Sequence, residues 1–391
     1  MKSNPFTRYF SGTILLIIIL QIIYYSTSFR KSPLETDPEF NKQYYLLEKY
    51  LSEYDSINKK GGWETIPSGD TLKAGIRSDR VIRLHERLIA SNDLKLNSVS
   101  VMDSFSRSTE QAVKIFQQRH GLISDGIVEK HTLAALNIST GERIKQIKLN
   151  MNRWKEMPAV MDNYYIFINT ADFRLEVVEA DTVRLEMQVI VGRYYRKTPV
   201  IHSVVTGMVF NPYWYIPPGI LKNDILPKVK KDSAFIKRMN IRVYESTGET
   251  KTKKEINPDD INWKEINTEK FPYQLVQSPG SKNPMGVVKF NIPNKYLVYL
   301  HDTPDKKLFE RQKRTFSSGC IRISKAKELA DYLLRNIPDE KYKNTDSIIN
   351  SRKTINVDLP EPVKIYIEYF TCWVDDRGKL NFRDDIYGRD K

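Results

Sequence analysis

The sequence predicts an α+β protein in which a small three-helix domain precedes a larger, mainly-β domain with a capping insertion, all behind a hydrophobic N-terminal segment. Three observations carry this reading. Apolar residues recur at helical spacing between about 76 and 140 and alternate as in strands from about 160 onward. Residues 9–26, YFSGTILLIIILQIIYYS, contain no charged side chain and are just long enough to span a bilayer as a helix. Residues 220–275 interrupt the strand pattern with lysine-rich, helix-like pieces and an Asn/Asp-rich loop.

Composition bounds the function before any motif does. At 391 residues, 40% hydrophobic and 11% aromatic, the chain can bury the cores of two or three domains. Its net charge of +14 is spread along the chain without a long Lys/Arg block. This favours anionic surfaces in general, but no helix-turn-helix or RNA-binding signature accompanies it, so nucleic acid is not an expected partner. Two cysteines, Cys320 and Cys372, exclude a disulfide framework and leave a single bridge open. Cys372 lies in the β-rich run KIYIEYFTCWVDD and is read as packing.

Taken in order, residues 1–30 form the expected membrane anchor. Lys2 and Arg8 precede the apolar run, and neither an A-x-A cleavage site nor a lipid-accepting cysteine follows it, which favours an uncleaved signal anchor. Arg30 and Lys31 flank the far end, so charge alone leaves its orientation open. Residues 31–75 read as a stalk or helical scaffold: EFNKQYYLLEKYLSEYDSI is amphipathic and KKGGWETIPSGD is rich in turn residues. Residues 76–140 read as three short helices. In the second, Ala112, Ile115, Phe116 and Arg119 fall at i, i+3, i+4 and i+7, Gly121 stands where a helix would end, and Asp125-Gly126 makes a turn. His85, His120 and His131 lack metal-ligand spacing, so no metal is expected.

Residues 150–391 form the β-rich domain. NYYIFINTADFRLEVVEADTVRLEMQVIVGR gives strands around a turn at Glu179-Ala180-Asp181, and VVKFNIPNKYLVYLHDTP returns to strand after the 220–275 insertion. SKAKELADYLLRN is a helix with Ser324 as its N-cap candidate and Ala326, Leu329, Ala330 and Leu333 on one face. The tail holds an Asp-Arg-Gly turn.

Chemistry concentrates at FSSGCIR, residues 316–322. Cys320 follows a Ser-Ser-Gly turn shortly before a helix, and His301 ends the apolar run YLVYL upstream. A thiol is mostly protonated at neutral pH, so a cysteine nucleophile needs a neighbouring base, and His301 is the candidate. Gly319 lets backbone approach a carbonyl, and its amide with that of Cys320 would form an oxyanion hole. Arg322 shares a face with Cys320 in extended chain and would meet a substrate carboxylate. On residues alone, simpler readings stay open: Cys320 as a buried filler, His301 as a surface histidine, Arg322 as a structural ion pair, Ser317 and Ser318 as turn formers.

The run STEQAVKIFQQRHGLISDGIVEKHTLAALN resembles the peptidoglycan-binding domain type 1. HDTPDKKLFERQKRTFSSGCIR resembles the active-site motif of the L,D-transpeptidases, the YkuD-type catalytic domain. VGRYYRKTP, NPYWYIPPGI, PGSKNPMGVVKFNIPN and YFTCWVDDRGKLNFRDDIYGRD look like the large YcbB-type subgroup, so the resemblance covers about 76–391. One departure is Ser318, where many members carry a second histidine. The resemblance implies that Cys320 is the nucleophile and His301 the base, with Gly319 at the oxyanion. Arg322, Ser317 and Ser318, and by analogy Tyr213 and Trp214, would contact substrate. It implies attack on the bond before the terminal D-alanine of a tetrapeptide stem, a thioester, and a cross-link between third residues of two stems, without metal or cofactor. Expected partners are peptidoglycan stems and glycan, the membrane through the N-terminal helix, and a carbapenem acylating the thiol. The expected location is the bacterial cytoplasmic (inner) membrane, single-pass, with the catalytic domain on the periplasmic side. Hydrolysis of the same stems, as an L,D-carboxypeptidase or endopeptidase, and a non-catalytic wall-binding scaffold are the competing readings.

Overall fold

The computed structural model describes residues 39–245, 254–266, 271–339, 342 and 344–391. The expected anchor over 1–30 lies outside the described residues, as does part of the insertion. Among the described residues no helix is long and apolar enough to cross a membrane.

Helix α1 (Lys42–Lys59) starts at Asn41, whose side chain accepts the Gln43 amide at 3.1 Å. Helices α2 (Asp79–Ala90), α3 (Arg107–Arg119) and α4 (Lys130–Leu136) pack Val81, Leu84, Leu88, Ala112, Val113, Phe116 and Leu136 into one small core. A reciprocal Ser106–Thr109 capping box opens α3, and Gly121 at φ 65° follows its end. Ile115, expected on the inner stripe, is instead 45% exposed, because the buried stripe runs through 109, 112, 113 and 116. His85 and His120 are buried structural residues, bonded to Thr109 Oγ1 and the Phe116 carbonyl at 2.7 Å each.

A fifth helix, α5 (Thr140–Lys155), was not anticipated from the sequence; it opens on a Ser139–Glu142 capping box. Its Ile144, Ile147, Met151 and Trp154 share a core with Leu47 and Tyr54 of α1 and with Phe370, Cys372, Val374, Leu380 and Phe382 near the C-terminus. Trp154 stacks on Phe370 with ring centroids 3.9 Å apart and planes 7° apart. So residues 42–59 are a scaffold packed on the β domain rather than a detached stalk. Arg119, paired with the buried Asp93, also donates to the Leu380 carbonyl at 3.1 Å and ties the three-helix unit to the same surface.

The β domain runs through β1 (Tyr164–Asn169), β2 (Arg174–Glu179), β3 (Thr182–Gly192) and β4 (Ile201–Phe210). A cap follows with β5 (Trp214–Tyr215), β6 (Ile241–Glu245), β7 (Glu255–Ile256) and β8 (Tyr273–Gln277). The chain then returns through β9 (Val288–Asn291), β10 (Leu300–His301), β11 (Thr315–Ser317), β12 (Ile321–Ile323) and β13 (Ile355–Glu368). A last hairpin, β14 (Cys372–Val374) and β15 (Leu380–Phe382), turns at Gly378 with φ 70°. The main sheet has the order β11-β3-β12-β10-β9-β4-β13-β1-β2 and closes on itself through a further β2–β3 pairing. Ala180 and Asp181 take positive φ in the predicted turn between β2 and β3.

The cap's strands form a separate sheet, β5-β8-β6-β7. They pack with α6 (Pro218–Ile220), a π turn (Leu221–Ile225), α7 (Leu226–Lys231) and α8 (Ala234–Arg238). Ile216, Leu221, Leu226, Val229, Ile236, Val243, Trp263 and Leu275 give it a core of its own, and its strands extend it from Trp214 to Gln277, slightly beyond the predicted 220–275. Helix α9 (Ala326–Leu334) buries the predicted Ala326, Leu329, Ala330 and Leu333 against the main sheet, and α10 (Thr345–Asn350) adds Ile348 to that core. The N-cap position of α9 is Lys325; Ser324 instead lies in the turn after β12, its amide donating to the Gln188 carbonyl at 3.0 Å.

Candidate active site

Strand alternation builds the site. Leu300, Ile321 and Ile323 are 0% exposed and point into the core, so Tyr299, His301, Cys320 and Arg322 share the opposite face. Register then sets the neighbours: His301 lies opposite Lys289 of β9 and beside Arg322 of β12. The row Lys289–His301–Arg322 therefore places an imidazole between two cations. Cys320 and Tyr299 occupy the next row, the Ile321 amide donating to the Tyr299 carbonyl at 3.1 Å.

Cys320 and Cys372 are both free thiols, so the bridge the sequence left open is not formed. Cys372 is wholly buried in packing. Cys320 is half-buried, and its Sγ lies 3.9 Å from the Leu297 carbonyl. Burial pushes the Cys320 thiol above its ordinary range, opposed by the Tyr299 amide and hydroxyl and by the charges of Lys289 and Arg322. The Tyr299 hydroxyl itself sits between the Cys320 thiol and the Trp214 indole of the cap.

His301 is 5% exposed and its Nδ1 lies 2.6 Å from the Asp302 carbonyl, a contact that assigns the N–H to that nitrogen. Burial, then Arg322, push its pKa down to about 3, against the raising effect of the Asp302 and Pro284 carbonyls and with Lys289 adding to the fall. The resting pair is consequently a neutral thiol and a neutral imidazole. Asp302 is itself anchored: its carboxylate accepts the Val287 amide at 3.0 Å and the Lys306 ammonium at 2.5 Å.

The Ser-Ser-Gly-Cys turn differs from expectation at two residues. The Gly319 amide donates to Ser317 Oγ at 3.1 Å, so it is not available to an oxyanion. Gly319 serves the turn through its backbone, at φ 120°, a region side-chain-bearing residues avoid. Ser317 is 2% exposed and its hydroxyl also donates to the Cys320 carbonyl, so it shapes the turn rather than meeting substrate. The Cys320 amide, by contrast, donates to no acceptor among the described residues. Ser318 is exposed and its hydroxyl accepts from Arg196 at 2.7 Å; Arg196 also pairs with Asp224 of the cap at 2.6 Å.

Thr198 donates to the Gly319 carbonyl at 2.8 Å and accepts the Gly192 amide at 2.9 Å, while Tyr387 donates to the Gly192 carbonyl at 2.8 Å. Gly192 is obligatory there, since a Cβ would lie 2.0 Å from the Arg196 carbonyl. Of the other predicted contacts, Arg322 is partly buried, and its Nε has no hydrogen-bond partner among the described residues. Trp214 reaches the site through Tyr299, and Tyr213 is 42% exposed, beside Arg242 of the cap. Sequence reasoning missed Tyr299, Lys289, Arg196 and Thr198. Their segments, YLVYLHDTP, GVVKFNIPN and GRYYRKTP, carried the resemblance, but only register reveals which side chains face Cys320.

Beside the thiol lies a cavity of about 340 Å³, lined by Lys289, Asn291, Pro293, Leu297, Val298 and Tyr299 among others. A second cavity of about 330 Å³, between Gly121 of the helical unit and Arg314 and Arg383 of the β domain, includes none of the residues around Cys320. No group of His, Cys, Asp and Glu among the described residues is arranged to hold a metal ion.

Comparison with known proteins places the chain in a family. Residues 77–136 match the family described as "Putative peptidoglycan binding domain". A Haemophilus influenzae protein named "Putative L,D-transpeptidase" is 34% identical over 248 residues, which cover 63% of this chain and 48% of that protein. The chain thus spans about half the length of that curated relative. Among solved structures, an L,D-transpeptidase from Stackebrandtia nassauensis is 13% identical over 78% of this chain and 96% of its own, with a TM-score of 0.28. Residues 123–326 of one from Xylanimonas cellulosilytica are 15% identical over 77% of this chain and 99% of its own, with a TM-score of 0.24. Residues 163–365, more than half of the chain and the whole of the Cys320 face, match the L,D-transpeptidase catalytic domain (YkuD), and the chain belongs to that family.

Proposed function

We propose that this chain cross-links peptidoglycan as an L,D-transpeptidase, with Cys320 as its nucleophile. The observation that carries the reading is the arrangement on one sheet face of a half-buried thiol, a free Cys320 amide, the Tyr299 hydroxyl against Sγ, and a neutral imidazole one row away. Cys320 Sγ attacks the carbonyl that joins the third stem residue to its terminal D-alanine. The oxyanion is met by the Cys320 N–H and the Tyr299 hydroxyl, a pair of donors in a partly dehydrated site.

His301 rests on backbone carbonyls, so it takes the thiol proton after its ring swings toward Sγ on substrate binding; such hydrogen bonds commonly tighten only in the complex. The C–N bond breaks, the proton passes to the leaving amine, and D-alanine departs from a thioester. The side-chain amine of an acceptor stem then attacks the thioester carbonyl, loses a proton to His301, and the thiol is restored. A carbapenem, an acylating mimic of the donor, would be held on the same sulfur.

The cap and C-terminal tail support the YcbB-type subgroup, with Trp214 over the donor groove. The helical unit would hold glycan, and the 1–30 segment would anchor the protein in the cytoplasmic membrane with this domain on the outer side, where its substrate is. The test is product analysis on purified tetrapeptide-stem muropeptides. Wild type should yield dimers linked between third residues and free D-alanine, and Cys320→Ala neither. Dimers formed by Cys320→Ala would refute the mechanism, and trimmed monomers without dimers would assign the protein to hydrolysis.

A further inference from the structure

Among the described residues no carboxylate forms an ion pair with Lys289. Lys289 lies half-buried on the face of β9, opposite His301, and burial lowers its pKa. Its Nζ stands 4.6 Å from the centre of the Tyr299 ring, which fixes the long side chain toward the row that holds Cys320. Arg322, the other cation of the row and on the far side of His301, feels the charge of Asp305. A half-dehydrated ammonium with nothing to neutralise it is costly unless something else supplies the charge.

The space it faces is built. The cavity of about 340 Å³ falls within the range of small-ligand pockets. Its wall is rigid because Asn294 uses both ends of its amide on the loop, donating to the Ile292 and Val298 carbonyls and accepting the Tyr296 and Val298 amides. Asn291, by contrast, has a side-chain amide with no hydrogen bond among the described residues, and it lines the cavity near Lys289. The cavity opens at Leu297, whose carbonyl touches the Cys320 Sγ.

We propose that this pocket is the leaving-group subsite: Lys289, assisted by Asn291, binds the free carboxylate of the donor's terminal D-residue. This rests on the proposed donor chemistry and specifies where the leaving residue sits. In an acyl-D-amino acid the carboxylate carbon is three bonds from the carbonyl that the thiol attacks. A cation beside the nucleophile therefore meets that carboxylate while the carbonyl is in reach of Sγ. The consequence is a demand for a free C-terminal carboxylate on the donor.

The experiment compares tetrapeptide stems ending in D-alanine with the same stems ending in D-alaninamide, reading thioester formation on Cys320 by intact mass. Wild type should acylate from the carboxylate form about 10- to 100-fold faster, the usual worth of a charge-assisted hydrogen bond. K289M should bring the two rates close to equality, and K289R should restore part of the preference. Equal rates in wild type, or a preference unchanged in K289M, would overturn the subsite while leaving the transpeptidase reading intact.

A second arm reads binding without turnover: protection of Cys320 from iodoacetamide by N-acetyl-D-alanine against N-acetyl-D-alaninamide. Protection by the carboxylate alone, lost in K289M, supports the subsite even if wild type acylates from neither stem, in which case the function proposed above falls and the pocket stands. Equal protection by both ligands, or none by either, counts against the pocket.

Discussion

Alkylation of Cys320 as a function of pH tests the electrostatics on which the mechanism depends. In a thiolate–imidazolium pair the thiol pKa falls to roughly 3–4, and alkylation is nearly flat between pH 6 and 8. Here burial raises the thiol above its ordinary range, and the imidazole, pushed down to about 3, carries no charge with which to stabilise a thiolate. Below the thiol pKa the thiolate fraction grows tenfold per pH unit, so the second-order rate with iodoacetamide should rise about 100-fold from pH 6 to 8. Burial also pushes the Cys372 thiol far above its ordinary range, and its side chain is fully enclosed, so it should contribute no signal in the folded protein. Cys320→Ala verifies this. The assay is intact-mass kinetics at pH 6, 7 and 8 under constant ionic strength. A rate that changes less than about threefold across that range would show a preformed ion pair and refute the neutral resting pair. The K289M substitution removes one of the charges that oppose the rise and should slow alkylation further at every pH in the range.

Tyr299→Phe removes a hydroxyl from beside Sγ and keeps the ring that packs on Lys289, so acylation should fall about 10²- to 10³-fold, the worth of one oxyanion donor; an unchanged rate would remove Tyr299 from the chemistry. Gly319→Ala has room for its Cβ, the nearest neighbouring atom being the Arg196 carbonyl oxygen at 3.9 Å, and is opposed only by φ 120°. Denaturant titration should show a loss of roughly 1–3 kcal/mol, and no loss would mean the turn relaxes freely. Trp154→Ala opens the joint core beside Phe370 and should cost about 3–5 kcal/mol in the same measurement, with the helical and β parts still unfolding in one transition. Two separated transitions in wild type would show that this core does not couple them.

Much of the architecture was legible in the sequence because period is local. The spacing around Ala112 and Phe116, the glycine after α3 and the helix through Leu329 and Leu333 each report which face of a segment meets a core. Helix α5 was missed although Ser139 and Glu142 form a capping box and Ile144, Ile147, Met151 and Trp154 keep helical spacing. Its many lysines and asparagines had hidden a stripe that only its partners, α1 and the C-terminal hairpin, make into a core.

The sequence by itself singled out Cys320 and His301 as the candidate pair, since a cysteine after Ser-Ser-Gly, nineteen residues beyond a strand-end histidine, is written in one contiguous stretch. Tertiary structure alone decided what surrounds them. Whether the amide of Gly319 or of Cys320 is left for an oxyanion depends on where the Ser317 hydroxyl turns. That Lys289 faces the histidine depends on the β9–β10 register, which one residue of slip would reverse. The protonation state of His301 was equally beyond sequence, because it is set by burial and by an arginine brought alongside through strand pairing.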